Sequence, residues 1–347
     1  MKLILFADLH ARNWMAFKKE LATGRNSRLE NCLEIIRQIA KLSKDTDARA
    51  VLFLGDVFHT RFQIDVDVYD AVYKEISEAS KVCPWYLLRG NHDTFDTEGK
   101  VHSLVSMGNG RITVLDQVYA FKIDDTNVFA IPWYADEEYI RGILQHDGCS
   151  GDILLLHAAL KEGTVGKGNY RTDAPLSVSD LPVGSFKRIF LGDFHKHQEL
   201  VPDKVMYLGS PLQHTFGEAN EDKWLFIYDT DTDTIEKRLT ESPRFYEIGS
   251  IAEFESKVNV NDIDPEYDFI RVLYTFVEQE KVQELVSEFP DVMFERTSAL
   301  PTERTEDSGV LNDDDVLVAK YVSENEQEDT DNSILVDYGL EILGRVT

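Results

Sequence analysis

The sequence has no long apolar run. Nowhere do its 347 residues approach the stretch of about 20 apolar side chains that a membrane-spanning helix requires. The first residues pass directly into a strand-like segment at residues 3–6, without the regions of a signal peptide. The composition, 43% hydrophobic and 29% charged, is typical of a globular protein. We therefore expect a soluble, cytoplasmic protein.

Cysteine is scarce. The three cysteines, Cys32, Cys83 and Cys149, are scattered along the chain without a CxxC spacing. An odd number cannot pair completely, and so few cannot build a disulfide framework or a thiolate zinc site. The sequence predicts reduced thiols, as expected in the cytoplasm.

Basic residues are also in short supply. The chain has 36 Lys and Arg against 63 Asp and Glu, a formal net charge of −27. Thirteen acidic and three basic residues lie between Glu303 and Arg345 alone. Proteins that bind nucleic acid tightly usually carry a basic surface. A nucleic-acid function would therefore require a partner that supplies positive charge.

The sequence does contain five clusters of metal-binding side chains, each directly after a short apolar run. Because open α/β folds build their sites beyond the carboxyl ends of the strands, five clusters in this arrangement predict one site at the rim of a sheet. Carboxylates, imidazoles and one amide suit Mn²⁺, Fe²⁺ or Zn²⁺. The clusters are Asp8-Leu9-His10, Gly55-Asp56-Val57-Phe58-His59, Gly90-Asn91-His92-Asp93, His157 and Gly192-Asp193-Phe194-His195.

The apolar spacing predicts helices between the early strands. Ser27-x-x-Glu30 is a capping box, and apolar residues follow it at helical spacing up to Ala40. A second helix is predicted from the spacing of Val68, Val72 and their successors up to residue 79. Helices that cross between parallel strands bring Asp8 and Asp56 to the same rim. The fold class predicted is α/β, a two-sheet sandwich flanked by helices.

The clusters resemble the signature of the calcineurin-like metallophosphoesterases, which is D-x-H, G-D, G-N-H-D/E, a lone His and G-H-x-H. Two features make the chain similar to the SbcD-type DNA nuclease subunits and their meiotic-recombination and bacteriophage relatives. One is His59, three residues after Asp56. The other is Tyr207-Leu208-Gly209-Ser210-Pro211 followed by Phe216-Gly217-Glu218. The resemblance is strong over residues 1–240. Beyond them, only the order of the segments is similar.

The resemblance implies two metal ions, each with its own ligands and a shared carboxylate. Metal one would take Asp8, His10, the bridging Asp56 and His195. Metal two would take Asp56, Asn91, His157 and Asp193.

Asp193 departs from the family pattern, which has His at this position. Aspartate is a competent ligand for a hard divalent ion, so the site is expected to survive with one more negative charge. In an alternative register, His195 and His197 form the H-x-H pair, because residues two apart on a strand share a face.

The remaining motif residues receive catalytic or binding roles by the same resemblance. His92 would donate a proton to the departing 3′-oxygen, with Asp93 orienting its ring, and His59 would hold the scissile phosphate or assist His92. Arg89 would either touch phosphate or cap its strand. Three other histidines are expected to be structural: His102, His146 and His214.

The carboxyl-terminal third has a different pattern. Strand-like and helical segments alternate from residue 245 to 296, which predicts a small α+β capping domain at residues 244–300 after the nuclease domain at 1–240. An acidic linker is predicted at 301–315. Amphipathic helices are expected at 316–347. The resemblance implies that they bind a coiled-coil ATPase, the partner subunit of such nucleases. The alternative is that they fold back onto this chain. The repeat Asp229-Thr230-Asp231-Thr232-Asp233-Thr234 is expected to form a hairpin turn.

The function implied is a Mn²⁺-dependent DNA nuclease, with Mg²⁺ as the other candidate cofactor. It would act as an exonuclease on duplex ends and an endonuclease on single strands, as a homodimer with an SbcC-like coiled-coil ATPase. Dimer contacts would come from the helices expected at residues 66–79 and 101–107, and the acidic character favours a bacteriophage origin. The alternatives are a small-nucleotide phosphodiesterase or phosphatase, and a metal-bound scaffold with little catalysis.

Overall fold

The computed structural model describes residues 1–97, 99–166 and 169–297. The predicted linker at 301–315 and the predicted tail at 316–347 lie outside the described residues.

The first third of the chain forms the middle and one edge of a sheet. Its four strands run parallel, because a helix crosses over between each of the first two pairs. These strands are β1 (Lys2–Phe6), β2 (Ala50–Phe53), β3 (Trp85–Leu88) and β4 (Ile112–Leu115), and the two helices are α1 (Ser27–Asp45) and α2 (Val66–Ala79).

A second sheet follows, and the chain then returns to the first. The second sheet has a parallel centre with one antiparallel strand at each edge. Its strands are β5 (Tyr119–Ile123), β6 (Thr126–Ile131), β7 (Ile153–His157), β10 (Arg188–Gly192), β11 (Gln198–Val201) and β12 (Val205–Tyr207). Helix α3 (Glu137–Leu144) and a short hairpin, β8 (Thr164–Val165) and β9 (Tyr170–Arg171), lie between them in the chain. The returning strands are β13 (Trp224–Asp229) and β14 (Thr234–Leu239).

Two six-stranded sheets result, with the strand orders β14-β13-β1-β2-β3-β4 and β11-β12-β10-β7-β6-β5. Alternate residues of β1 enter different cores. Leu3 and Leu5 pack in a cluster shared with the second sheet, whereas Ile4 and Phe6 pack in the cluster of α1 and α2. Burial of each such side chain contributes about 1.5–3 kcal/mol. The predicted two-sheet sandwich flanked by helices is therefore confirmed.

Residues 245–296 form a third, parallel sheet with its own core. Its strands are β15 (Phe245–Ile248), β16 (Phe269–Tyr274) and β17 (Met293–Arg296), and its helices are α4 (Ile251–Asn259) and α5 (Gln279–Glu288). Phe254 of α4 and Val272 of β16 are fully buried in this core. The elements follow the order expected from the sequence, and the domain boundaries stay a prediction.

Three local expectations have a clear outcome. The hairpin turn is confirmed, since β13 and β14 pair antiparallel with Asp229 opposite Thr234. The capping box is wrong by one residue, because Asn26 is the N-cap and accepts from the Arg28 N–H, while the Ser27 hydroxyl accepts from the Lys19 N–H. Residues 101–107 form turns rather than a helix.

None of the helices in the described part of the chain is long and apolar enough to span a membrane.

Two glycines allow the two sheets to meet at one rim. Gly55 has a φ of 103°, and a Cβ there would lie 2.2 Å from the His157 ring. A Cβ on Gly192 would lie 2.2 Å from the Leu54 carbonyl oxygen. Because that oxygen belongs to buried backbone, it cannot move away cheaply.

We expect Gly192→Ala to lower the free energy of unfolding by about 1–3 kcal/mol, as overpacking of a rigid site does. The matched control is Gly142→Ala in α3, where no atom lies within 4 Å of an added Cβ. This control should leave stability unchanged or raise it by up to about 1 kcal/mol through helix propensity. Urea denaturation measures both, and equal stability of the two variants would contradict the close-packed rim.

Candidate metal centre

Four motif residues have backbone conformations that L-amino acids rarely adopt. The φ angles are 55° at Asp8, 48° at His10, 65° at Asp56 and 108° at Asp193. Hydrogen bonds hold the first loop in place, from the Asp8 N–H to the Gly55 carbonyl and from the His10 N–H to the Asp56 carbonyl. Strain of this kind persists only where the surroundings enforce it, and it is concentrated at functional sites.

The first group of side chains joins the ends of β1 and β10. The ligand atoms of Asp8, His10 and His195 all lie within 4.8 Å of one another. His195 Nε2 lies 2.9 Å from His10 Nε2, and His10 Nε2 lies 3.5 Å from Asp56 Oδ2. These are the four residues expected to hold metal one.

The second group joins β2, β3, β7 and β10 on the other side of Asp56. His157 Nε2 lies 3.7 Å from Asp56 Oδ1 and 3.7 Å from Asp193 Oδ1. It also lies 3.0 Å from the Asn91 side-chain oxygen. Asp56 thus presents one oxygen to each group, the position required of a bridging carboxylate.

Hydrogen bonds fix which nitrogen of two imidazoles faces the site. His157 Nδ1 lies 2.6 Å from the Leu54 carbonyl oxygen, and His195 Nδ1 lies 2.8 Å from Glu218 Oε1. Since both partners accept, each Nδ1 carries a proton, and Nε2 is the atom that each ring turns toward the other donors. Such outer hydrogen bonds orient metal-binding histidines.

The site gathers carboxylates in surroundings that disfavour their charge. Burial raises the pKa of Asp8 to about 7 and that of Asp193 to about 6. Burial, followed by the charges of Asp93 and Asp8, raises the pKa of Asp56 well above its usual value. Burial also lowers the pKa of His157 to about 3, so this ring is neutral and able to bind a cation. Cations within the cluster would stabilise the ionised carboxylates.

The donor atoms fit divalent cations. The Asn91 oxygen lies 3.0 and 3.2 Å from the two Asp56 oxygens, as well as close to the His157 lone pair. Acceptors that converge in this way repel one another unless a cation lies among them or the amide is turned to face them with its nitrogen. Carboxylate, amide and imidazole donors without a thiolate suit Mn²⁺, Fe²⁺ or Zn²⁺. All three cysteines are buried and unpaired elsewhere.

His92 and His59 lie together beside the first group. Their rings stack at 5.5 Å between centroids, and the His92 ring lies 4.7 Å from that of His10. His92 Nδ1 donates to the His59 carbonyl, which leaves Nε2 as the exposed end of the ring. Burial lowers the pKa of both rings, that of His59 to about 4.

Asp93 does not orient the His92 ring, so this expectation needs correction. Its carboxylate accepts from the backbone N–H groups of Asp56, Val57 and Gly90. Asp93 therefore ties the second motif loop to the third. The His92 ring is instead positioned by a backbone carbonyl, which a sequence pattern does not reveal.

Two further candidates lie away from the cluster. Arg89 is fully buried and donates to the Thr94 hydroxyl and the Asp116 carbonyl, so its guanidinium holds the loop after β3 and does not face a substrate. His197 Nδ1 donates to the Tyr207 carbonyl, and its ring packs against Phe226. The structure thus brings Asp193, and not His197, beside His157. The role of Asp193 as a metal ligand stays a prediction.

Sequence reasoning missed a layer of supporting residues. His214 was expected to be merely structural, yet its Nε2 donates to the Asp8 carbonyl and its ring lies 5.1 Å from that of His195. Trp14 packs against His59 with ring centroids 4.4 Å apart. Glu218 has a signal in the sequence, since it ends the Phe216-Gly217-Glu218 motif, but the motif does not reveal that its carboxylate orients His195.

Comparison with known proteins is consistent with this geometry. The family model for calcineurin-like phosphoesterases matches residues 1–232. A protein of Invertebrate iridescent virus 6, described as phosphoesterase 244L, is 23% identical over 244 residues, which are 66% of this chain and 81% of the viral protein.

Two solved structures show weaker likeness. A dimetal phosphatase from Danio rerio is 11% identical with a TM-score of 0.42, covering 65% of this chain and 91% of its own. A hypothetical protein from Pyrococcus horikoshii OT3 is 11% identical with a TM-score of 0.35, covering 76% of this chain and 95% of its own. Likeness at this level carries no argument about function. The family model, in contrast, spans most of the chain and includes all five clusters, and the chain belongs to the calcineurin-like phosphoesterase family.

Proposed function

We propose that this metallophosphoesterase is the nuclease subunit of a DNA-processing complex. It would use two Mn²⁺ ions, with Mg²⁺ as the second choice, to act as an exonuclease on duplex ends and an endonuclease on single strands. The observation that carries the two-metal part is the position of Asp56 between two groups of donor atoms. The DNA part is supported by His59 and by the Tyr207-to-Glu218 segment, which resemble the nuclease branch of the family.

Two divalent cations bound here would supply a hydroxide nucleophile at neutral pH and stabilise charge on the phosphate. The protein's own contribution lies in the histidine pair. A bound phosphodiester raises the pKa of His92, because a nearby negative charge favours the imidazolium. With Nδ1 donating to the His59 carbonyl, the Nε2 proton is directed toward the substrate and transfers to the departing 3′-oxygen. The stacked His59 ring limits rotation of His92 and lies close enough to contact the same phosphate.

Dimer formation is supported by an exposed apolar patch beside the site. Val66, Val101 and Val105 are more than half exposed, and Phe62 and Phe95 pack edge to face at 5.5 Å while remaining exposed. Exposed apolar side chains that cluster, as Phe62 and Phe95 do, are typical of an interaction surface. We propose that it joins two copies of the chain, through α2 and the turns at 101–107.

Recruitment of an SbcC-like ATPase is proposed on the resemblance alone. The segment expected to bind it, residues 316–347, lies outside the described residues. The net charge of −27 supports a partner that contributes basic surface for DNA. Buried, unpaired cysteines fit the reducing cytoplasm of a bacterium or a host of bacteriophages.

A small-nucleotide phosphodiesterase is the second candidate, favoured by the same acidic composition. A panel of substrates separates the two functions. With Mn²⁺, we expect a single-stranded oligonucleotide to be cleaved with a higher kcat/KM than bis(4-nitrophenyl) phosphate or a cyclic mononucleotide. A preference for the small substrates would contradict the nuclease proposal and leave the metal centre intact. No cleavage of any substrate, with metals bound, would indicate a scaffold.

Asp56→Asn should abolish hydrolysis of every substrate in this panel, because the neutral amide cannot hold two cations together. We expect circular dichroism and the unfolding midpoint to show a folded protein. Asp147→Asn, at an exposed position after α3, is the matched control and should keep wild-type activity. Near wild-type hydrolysis by Asp56→Asn would exclude a bridging role.

His92→Ala should reduce kcat by about 10²–10⁴-fold, the usual contribution of a positioned general acid. Metal stoichiometry, measured by inductively coupled plasma mass spectrometry, should stay at two per chain. The exposed His146→Ala serves as the control and should behave as wild type. Loss of a metal ion from His92→Ala would show instead that this histidine is a ligand.

A further inference from the structure

Lys223 is a buried cation beside the first group of donors. Its side chain is only 5% exposed, at the start of β13. Its ammonium lies 2.7 Å from Glu218 Oε2, 3.0 Å from the His195 carbonyl oxygen and 3.0 Å from the Ser210 hydroxyl. A fourth contact of 3.1 Å goes to Glu221. Such complete pairing leaves the ammonium no freedom to move and none of its protons for chemistry with a substrate.

Glu218 connects this lysine to the His195 ring. One carboxylate oxygen accepts from His195 Nδ1 at 2.8 Å, and the other oxygen contacts Lys223. Lys223 therefore reaches His195 by two routes, through the carboxylate that orients its ring and through its backbone carbonyl. The far nitrogen of that ring, Nε2, is the atom that faces His10 and the first group.

We propose that Lys223 is a positioning residue for the cation held by Asp8, His10 and His195. Its ammonium fixes the Glu218 carboxylate, and Glu218 fixes the tautomer and orientation in which His195 presents Nε2. The inference rests on the proposed two-metal function and adds to it a residue outside all five motifs. Lys223 acts through other groups and does not touch the substrate.

The contacts of Lys223 lead to the first group of candidate ligands and not to the second. Within the described ranges, the polar contacts of the Lys223 side chain go to the His195 loop, Ser210 and two glutamates, and none goes to Asn91, His157 or Asp193. The tautomer of His157 is set separately by the Leu54 carbonyl. Disturbing Lys223 should thus lower affinity at the first group and leave the second nearly unchanged.

The chain offers a matched control pair of the same kind. Arg188, in β10 of the second sheet, is also 5% exposed, and it pairs at 2.8 Å with Asp233 in the turn between β13 and β14. Like Lys223, it is a cation with a carboxylate partner and a backbone carbonyl partner. None of its contacts within the described part of the chain goes to a candidate ligand. If Lys223 had a purely structural role, replacing Lys223 and replacing Arg188 would have the same effect on cation binding.

The test is a Mn²⁺ titration followed by electron paramagnetic resonance, which separates isolated ions from the spin-coupled pair that shares a carboxylate. We expect Lys223→Met and Glu218→Gln to need about 10–100-fold more Mn²⁺ than wild type to reach half of the coupled signal, as supporting hydrogen bonds commonly require. Binding of the first, uncoupled ion should change less than about threefold. Arg188→Met should lose thermal stability and titrate as wild type.

Wild-type titration curves for Lys223→Met and Glu218→Gln would overturn the inference, as would an equal shift in Arg188→Met. Glu218→Gln keeps the test decisive if Lys223→Met does not fold, because the amide preserves shape and an acceptor. A wild-type protein without any coupled signal would refute the two-metal centre itself, a result distinguishable from failure of the Lys223 inference alone.

Discussion

The structure depends on the enclosure of several carboxylates at one point with little cationic side-chain charge to balance them. Asp8 and Asp56 are at most 1% exposed, and burial raises the pKa of both. Removing ionised carboxylates from water costs several kcal/mol for each ion unless an opposite charge compensates. Two divalent cations would provide that compensation, and the neutral imidazoles of His10 and His157 would supply further donors without adding charge. The buried cluster therefore has the charge and the donor atoms expected of a cation site.

The rest of the fold serves to hold these groups against their mutual repulsion. Parallel strands from two sheets end at one rim, where Gly55 and Gly192 permit the closest approach. The Leu54 carbonyl orients His157, and Glu218 with Lys223 orients His195, so the second layer contains both backbone and a buried ion pair. The orientation of the candidate ligands is thus set by groups outside the cluster itself. This division explains why the five clusters lie at the ends of strands, whereas the residues that support them are scattered along the sequence.

The motifs predicted the centre because strand periodicity and the direction of parallel strands determine which loops meet. The two-sheet fold and the convergence of Asp8, Asp56, His157 and their neighbours followed from that reasoning. The residues that support the candidate ligands could not be predicted, because they depend on tertiary contacts that have no fixed spacing in the sequence. Asp93 was expected to orient the His92 ring and instead accepts from backbone N–H groups, and His214, expected only to be structural, contacts the Asp8 carbonyl. The helix cap shifted to Asn26 for the same reason, since the Ser27 hydroxyl is occupied by the Lys19 N–H.

The central claim is that Asp56 bridges two cations. Crystals of the full chain grown with MnCl₂ and measured at the manganese absorption edge test it most directly. The account predicts two anomalous peaks about 3.5–4 Å apart, with Asp56 between them, one beside Asp8, His10 and His195 and the other beside Asn91, His157 and Asp193. A single peak, or two peaks that share no Asp56 oxygen, would contradict it.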